Sequence, residues 1–112
     1  MTRVTPPTVG EFELLVLLAV LKLADDAYPL AIADDIAQTT GRKASRPAVL
    51  ITLQRLEEKG LLTSHYSDPT PVRGGRSKRV FSAKPLGIAA AKQSLGRIKA
   101  MTRELGALLE AK

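Results

Sequence analysis

The amino-acid sequence predicts a mainly α-helical domain that carries one small β-hairpin and ends in a further helix. Three observations support this fold class. Apolar residues recur at helical spacing in four segments of the chain. Two short β-prone runs flank Gly74-Gly75, which is a turn signal. The chain has 112 residues, of which 45% are hydrophobic, so one small domain with a core can form without wholesale disorder.

The net charge of +6 and a pI of about 10.0 favour an anionic partner, either nucleic acid or an anionic membrane. Aromatic residues make up 4% and Trp is absent, which disfavours single-strand binding by base stacking. The apolar run from Leu14 to Leu21 is too short to span a bilayer, and the N-terminus lacks the pattern of a signal peptide. We therefore expect a soluble, cytoplasmic protein without a membrane partner.

The sequence shows no constellation of catalytic or metal-binding residues. Cys is absent, and His65 is the one His of the chain, which is too few for a metal cluster. We expect His65 to be a strand residue without a functional role. There is no Ser/His/Asp set, paired carboxylate site or Gly-rich phosphate loop. The sequence therefore predicts neither an enzyme nor a bound cofactor.

The first predicted helix runs from about Val9 to about Ala24, because Thr8 and Glu11 have the spacing of a capping box. It carries two apolar stripes on opposite sides, and a helix that is apolar all round must be covered all round. We expect the second stripe to contact the C-terminal helix, a second subunit or both. This stripe consists of Leu14, Leu17, Leu18 and Leu21.

The second predicted helix starts at Tyr28-Pro29 and ends at Gly41, and a short turn then leads into the third helix. The third helix runs from Ser45 to Gly60. Ser45 is a good N-cap, and Gly60 suits a left-handed C-terminal stop. Two helices joined by a short Gly-containing turn are typical of a helix-turn-helix, in which the later helix contacts DNA.

The third predicted helix has two chemically different sides. At about 100° per residue, Val49, Leu53 and Leu56 form a narrow apolar stripe. The other side mixes small apolar groups, an amide and guanidinium groups, a mixture that suits base edges in a major groove. The alternative is an ordinary amphipathic helix with two exposed aliphatic residues. This other side consists of Arg46, Pro47, Leu50, Ile51, Gln54 and Arg55.

The segment between Ser67 and Lys84 is the most basic part of the chain. It holds five basic residues and one acidic residue, so four of the six net positive charges lie there. A basic hairpin directly after a helix-turn-helix is predicted to be a wing, and glycines at its tip would let Arg73 and Arg76 approach a minor groove. The alternative is a solvated basic loop.

Pro85 opens the last predicted helix, which extends to near the end of the chain. Its apolar residues alternate in steps of three and four, which indicates a short heptad seam. Gly96 and Gly106 weaken this helix, so it needs packing to persist, and we expect another subunit to supply part of that packing. The seam consists of Ile88, Ala91, Leu95, Ile98, Thr102, Leu105 and Leu109.

The order of these segments resembles that of the PadR-like winged-helix transcriptional regulators, and the resemblance covers nearly all of the chain. GEFELLVLLAVL and DDAYPLAIADDI look like the first two helices of the family. PAVLITLQRLEEKGLL looks like its recognition helix, and PTPVRGGRSKRVF looks like its wing. The single C-terminal helix is similar to that of the smaller members, in which it serves as the dimerisation helix.

Two positions depart from the pattern of the family. Leu50 stands where the family often has a Tyr that is assigned to the DNA-facing side, and Lys84 stands where it often has a Thr before the Pro of the last helix. Some relatives bind flat aromatic compounds between subunits, clasped by a Trp that this chain lacks. The resemblance therefore leaves a small-molecule effector open and unidentified.

The sequence thus predicts a winged helix-turn-helix, with residues 1–84 as the DNA-binding domain and residues 85–112 as a C-terminal dimerisation helix. We expect a repressor that binds double-stranded DNA as a homodimer on an inverted repeat; the alternative is a winged helix that binds an acidic protein partner. The predicted DNA-binding residues are Lys43, Ser45, Arg46, Leu50, Ile51, Gln54, Arg55, Arg73, Arg76, Lys78 and Arg79. The predicted dimerisation residues are Leu14, Leu17, Leu18, Leu21, Leu95, Ile98, Thr102, Leu105 and Leu109.

Overall fold

The computed structural model describes residues 5–67 and 77–110 of the chain. The predicted fold class, mainly α with a small β-hairpin, is confirmed. The predicted Gly74-Gly75 turn lies outside the described residues, as do Arg73 and Arg76. The elements are α1 (Glu11–Leu23), α2 (Pro29–Thr40), α3 (Arg46–Glu58), β1 (Leu62–Tyr66), β2 (Arg79–Ala83), α4 (Pro85–Thr102) and α5 (Gly106–Glu110), with single 3₁₀ turns at Ala24–Asp26 and Arg103–Leu105.

The cap of α1 differs from the predicted one. The helix begins directly after Gly10, and the Gly10 N–H donates a hydrogen bond of 2.9 Å to Oε1 of Glu13. The predicted capping box of Thr8 and Glu11 is therefore wrong by two residues. Both Glu11 and Glu13 offer a carboxylate in the first turn, so spacing alone does not distinguish the two arrangements.

Helix α1 is the central helix of the domain, because α2, α3, α4 and β2 all pack against it. Leu17 is fully buried and Leu14 nearly so within a single chain. Of the other residues in the predicted second stripe, Leu18 is half-buried and Leu21 is exposed. One chain thus covers more of α1 than its all-round apolar pattern suggests, because several elements of the same chain surround it.

The helix-turn-helix has the ends that the sequence predicts. Pro29 stands in the first turn of α2, and Gly41 ends that helix with a φ of 76°. The Ser45 hydroxyl caps α3 by accepting a hydrogen bond of 3.1 Å from the Ala48 N–H. Gly60 follows α3 with a φ of 78°, a conformation that glycine adopts without strain.

Strands β1 and β2 form an antiparallel hairpin whose register runs from Leu62 opposite Ala83 to Tyr66 opposite Arg79. The Phe81 N–H also donates a hydrogen bond of 2.8 Å to the carbonyl of Ala27, in the connection between α1 and α2. The hairpin is therefore fastened to the first half of the chain by backbone as well as by packing.

The hydrophobic core is continuous across residue 84, where the sequence predicts the boundary between the DNA-binding domain and the C-terminal helix. Gly87, Ala90 and Ala91 of α4 are buried, and the two alanines belong to the same cluster as α1 and Phe81. Gly87 approaches the turn after α3 so closely that a β-carbon there would lie 2.2 Å from the carbonyl oxygen of Leu61. The first two turns of α4 are thus built into the winged domain.

The C-terminal helix is less continuous than predicted. Helix α4 ends at Thr102, a 3₁₀ turn follows, and a short α5 begins at Gly106. Gly is a poor helix former and Thr102 turns its hydroxyl back to the Lys99 carbonyl at 3.2 Å, so the sequence around the break favours helix weakly. Within residues 5–67 and 77–110, no helix combines the length and apolar character that crossing a bilayer requires.

Candidate nucleic-acid interface

Helix α3 presents one side to the core and the other to solvent. Val49, Leu53 and Leu56 have no exposed surface, so the predicted apolar stripe is buried within the chain. Ile51 is 50% exposed although its side chain is aliphatic. Arg46, Pro47, Gln54 and Arg55 are also exposed, and Leu50 is half-buried at the edge. The structure thus places together the predicted base-reading residues of α3.

A groove of about 380 Å³ lies between the start of α2, the first half of α3 and the base of the hairpin. Its apolar lining comes from Tyr28, Pro29, Leu30 and Leu50. Among the described residues, the charged part of the lining consists of the cations Arg46, Lys78 and Arg79. A groove with apolar walls and cations at its border suits the alternating sugars and phosphates of a nucleic-acid backbone.

The two described cations of the hairpin have different surroundings. Lys78 is exposed, and its Nζ lies 4.2 Å from the centre of the Tyr28 ring, a cation–π contact that directs it over the groove. Arg79 is half-buried, and its Nη2 donates a hydrogen bond of 2.6 Å to the carboxylate of Glu57 on α3. Lys78 is therefore the better placed of the two to meet a phosphate.

Basic residues also flank the other end of the helix-turn-helix. Lys43 is exposed in the turn before α3, next to the capping residue Ser45. The guanidinium of Arg42 lies 4.9 Å from the centre of the Phe12 ring, and its Nη1 lies 3.0 Å from Oε1 of Glu11. These contacts hold Arg42 against the first turn of α1. Arg42 and Lys43 thus both lie at the side of α3 away from the hairpin.

Three residues of this surface are not predicted by the sequence pattern. Leu30 has the spacing of a core residue of α2, but it is 44% exposed because it lies in the first turn, on the side of the groove. Tyr28 marks only a helix start in the sequence, and Arg42 belongs to a turn that gives it no evident role. Each of the three residues lies at or next to a helix cap or a helix-breaking residue. This position is the sequence signal that could have indicated its exposure.

A partly buried ion pair joins Glu13 in the first turn of α1 to Lys59, which directly follows α3. Lys59 Nζ contacts both carboxylate oxygens of Glu13 at 2.9 and 2.8 Å and also donates to the carbonyl of Thr8 at 3.2 Å. Partial burial on its own would raise the pKa of Glu13. The hydrogen bonds from Lys59 and the Gly10 N–H, with the charges of Lys59 and Arg55, outweigh it and lower that pKa below 4.5. Lys59 is thus engaged in holding α1 to α3.

The predicted dimerisation residues lie in two different environments. Those of the C-terminal segment, from α4 through the 3₁₀ turn to α5, stay accessible: Leu95, Ile98, Leu105 and Leu109 are exposed and Thr102 is half-buried. Those of α1 are largely covered within one chain, as described above. Met101 and Leu108 are the most exposed large apolar residues of this C-terminal segment, at 79% and 71%.

Comparison with solved structures shows that this arrangement is a known fold. A PadR family transcription regulator from Clostridium difficile R20291 is similar with a TM-score of 0.72 and 21% identity, over 89% of this chain and 99% of that chain. A PadR family transcriptional regulator from Eggerthella lenta DSM 2243 is similar with a TM-score of 0.65 and 21% identity, over 88% and 83%. A transcriptional regulator from Clostridium thermocellum gives 0.68 and 18%, over 88% and 92%.

The chain therefore has the fold of the PadR-family transcription regulators, as the segment order suggested. At these levels of identity the likeness establishes the fold. No protein-family model matches the sequence, and no curated protein matches it either.

Proposed function

We propose that this protein is a transcriptional regulator that binds double-stranded DNA through α3 and the hairpin. One observation carries the proposal: α3 buries the stripe of Val49, Leu53 and Leu56 completely while it exposes Gln54, Arg55 and an aliphatic Ile51. Arg reads guanine, Gln reads adenine, and an aliphatic group contacts the methyl of thymine. A surface that is merely solvated would not need an exposed Ile between these groups.

The charges around α3 support DNA as the partner. Arg46 and Lys78 border the groove on one side of α3. Arg42 and Lys43 lie on the other side of this helix. Cations on both flanks of a helix can contact phosphates on both sides of a major groove, which positions the helix without reading sequence. Similarity in fold to transcription regulators agrees with this function.

We further propose that the protein acts as a homodimer on an inverted repeat and represses transcription by occupying a promoter. The surface formed by Leu95, Ile98, Met101, Leu105 and Leu108 is apolar and uncovered by the described part of its own chain. A second copy of the same helix would cover it, and a two-fold axis would then present two α3 helices to two half-sites. Residues 85–112 would supply the dimerisation helix.

Selection of bound sequences from random duplex DNA tests the central proposal. We expect enrichment of an inverted repeat, with half-sites separated by about one helical turn of 10–10.5 base pairs. Affinity for the selected duplex should fall steeply with salt, because each neutralised phosphate contributes roughly 0.9 to the log–log slope. If no duplex is enriched and an acidic protein binds instead, the domain is a protein-interaction module and the proposal is wrong.

Two substitutions test whether α3 reads bases. Gln54→Ala or Arg55→Ala should cost about 1–3 kcal/mol on the selected duplex and far less on random DNA, because a base contact is lost rather than a phosphate contact. Both side chains are exposed, so the unfolding temperature should hardly change. Lys92→Ala, an exposed cation on α4, is the control and should affect neither DNA. Equal losses on both DNAs would show that these residues contact phosphate.

Sedimentation equilibrium at micromolar concentration tests the dimer. We expect the wild type to sediment as a dimer and Leu105→Glu to sediment as a monomer, because a charge would be buried in an apolar contact. Ala100→Glu adds the same charge to the opposite side of α4 and should leave the dimer intact. A wild type that sediments as a monomer contradicts the symmetric arrangement, even if the chain binds DNA.

A further inference from the structure

We infer that Arg79 is a positioning residue, which fixes the base of the hairpin against α3 so that both can contact DNA in one register. The sequence pattern alone places Arg79 among the phosphate-binding cations of the hairpin. The inference rests on the proposed function, since positioning matters only if α3 and the hairpin bind the same DNA. We call the three residues Arg79, Glu57 and Ser64 the hairpin clamp.

The hairpin clamp is a closed set of hydrogen bonds between three elements. Arg79 Nη2 donates to Oε1 of Glu57 at 2.6 Å, and Arg79 Nε donates to the hydroxyl of Ser64 at 3.1 Å. The Ser64 hydroxyl in turn donates to Oε2 of Glu57 at 3.0 Å. Because both carboxylate oxygens of Glu57 are occupied, the C-terminal end of α3 is joined to β1 and β2 together.

Packing also holds Arg79 in place. Its guanidinium lies 4.9 Å from the centre of the Phe81 ring, and Phe81 is fully buried in the core. The side chains of Arg79 and Glu57 keep only 30% and 27% of their surface exposed. An ion pair in this setting is less screened than one on the open surface, and the planar guanidinium suits both the carboxylate and the ring.

The position of the clamp explains what it would do. Arg79 and Tyr66 form the last pair of the β1–β2 register on the side where the hairpin leaves the core. The residue before Arg79 contacts a different helix, because Lys78 lies over Tyr28 at the start of α2. The base of the hairpin is thus held between α3 and α2. Restricting it before binding lowers the ordering cost that complex formation would otherwise include.

Glu57 supplies the strongest argument that the clamp serves positioning. Gln54, Glu57, Glu58 and Arg79 line one open cleft, so Glu57 lies next to a residue that we expect to read a base. A carboxylate near DNA phosphates opposes binding by charge alone. The presence of Glu57 there is explained if it holds Arg79, and removing it should then weaken DNA binding. If the carboxylate only repels phosphates, removing it should strengthen DNA binding.

Four variants of the full chain separate these explanations: Glu57→Gln, Arg79→Ala, the double variant, and Glu58→Gln as a control. Glu58 is an exposed carboxylate on the same turn of α3 and forms no ion pair among the described residues. Affinity is measured on the selected duplex across a series of salt concentrations. Circular dichroism melting confirms that each variant is folded, and Arg79→Lys replaces Arg79→Ala if the latter is not.

We expect Glu57→Gln to bind the selected duplex about fivefold more weakly, the upper range for a partly exposed ion pair, although it removes a negative charge. Arg79→Ala should weaken binding similarly with an unchanged salt slope, and the double variant should be no weaker than either single one. Glu58→Gln should bind at least as tightly as the wild type.

Two results would overturn the inference. One is Glu57→Gln binding as tightly as Glu58→Gln, which would mean that the clamp does not contribute to DNA binding. The other is a salt slope reduced by roughly 0.9 in Arg79→Ala, which would show that Arg79 contacts a phosphate directly. A wild type that binds no duplex would instead overturn the proposed function itself, so the two failures are distinguishable.

Discussion

Helices α3 and α4 carry the same kind of apolar stripe, yet the chain covers one stripe and leaves the other exposed. Val49, Leu53 and Leu56 in α3 have no exposed surface, whereas Leu95 and Ile98 in α4 are 44% and 54% exposed. The two stripes share the spacing of three and four residues. They differ in place, because α3 lies against α1, α2 and β1, while α4 packs on the core through its first turns.

The difference between the two stripes shows what a periodic apolar pattern predicts and what it leaves open. A stripe at helical spacing indicates a side that is more stable when it is covered. It contains no information on whether the same chain or another molecule covers it. In α3 the opposite, exposed side is the candidate functional surface. In α4 the stripe itself is the candidate contact surface, so the same pattern has opposite functional meanings in the two helices.

Deleting the same side-chain atoms from both stripes is the strongest test of this contrast. Leu53→Ala should lower the free energy of unfolding by about 2–5 kcal/mol, because it leaves a cavity in the core. Leu105→Ala, which continues the exposed stripe in the 3₁₀ turn after α4, should have a much smaller effect at protein concentrations where a dimer does not form. Urea denaturation at low and high protein concentration measures both. The Leu53 effect should not depend on concentration, whereas the Leu105 effect should grow with it.

Alanine substitution at Gly87 and at Gly96 compares the part of α4 that packs on the core with the part that is exposed. Gly87→Ala should destabilise the protein by about 1–3 kcal/mol, because the new β-carbon would meet the Leu61 carbonyl oxygen and the helix would have to move. A β-carbon at Gly96 would meet no atom of the described residues within 4 Å, so Gly96→Ala should stabilise the helix by roughly 0.5–1 kcal/mol. Thermal unfolding of both variants checks the prediction. Equal effects would mean that α4 is not fixed at Gly87.

The ion pair between Glu13 and Lys59 allows a test with a smaller expected effect. It concerns α3, the helix whose apolar stripe is covered. The pKa of Glu13 is lower in the folded protein than the ordinary 4.5, so the folded state favours the ionised carboxylate. The pair therefore stabilises the fold above pH 4.5, and this contribution is lost as the pH falls through the lowered pKa. We expect Glu13→Gln to cost on the order of 1 kcal/mol at pH 7 and nothing near pH 2.

Unfolding free energies of the wild type and Glu13→Gln between pH 7 and pH 2 measure this difference directly. Glu11→Gln is the control, because Glu11 lies in the same turn but its contact with Arg42 is largely exposed. A difference between wild type and Glu13→Gln that stays constant over this range would show that the carboxylate charge is not what matters.

Local sequence signals predicted the elements well, because their physical causes are local. Ser45, Gly41 and Gly60 act through hydrogen bonds and backbone angles within a few residues, and the structure confirms all three. The cap of α1 was misplaced because two carboxylates compete for nearby backbone N–H groups. The sequence predicts one helix weakened at Gly106, whereas the structure breaks it before that residue, because a weak helix former continues a helix only where neighbouring packing supports it.

By itself the sequence determined the order of the elements, the buried stripe of α3 and the residues on its exposed side, since periodicity and capping depend on neighbours along the chain. The tertiary structure alone decided that Leu17 is covered within one chain, that Gly87 is a close contact, and that Glu57 lies within reach of Arg79. Each of these depends on distances between residues far apart in sequence. Such distances follow from how the helices pack, which no local pattern specifies.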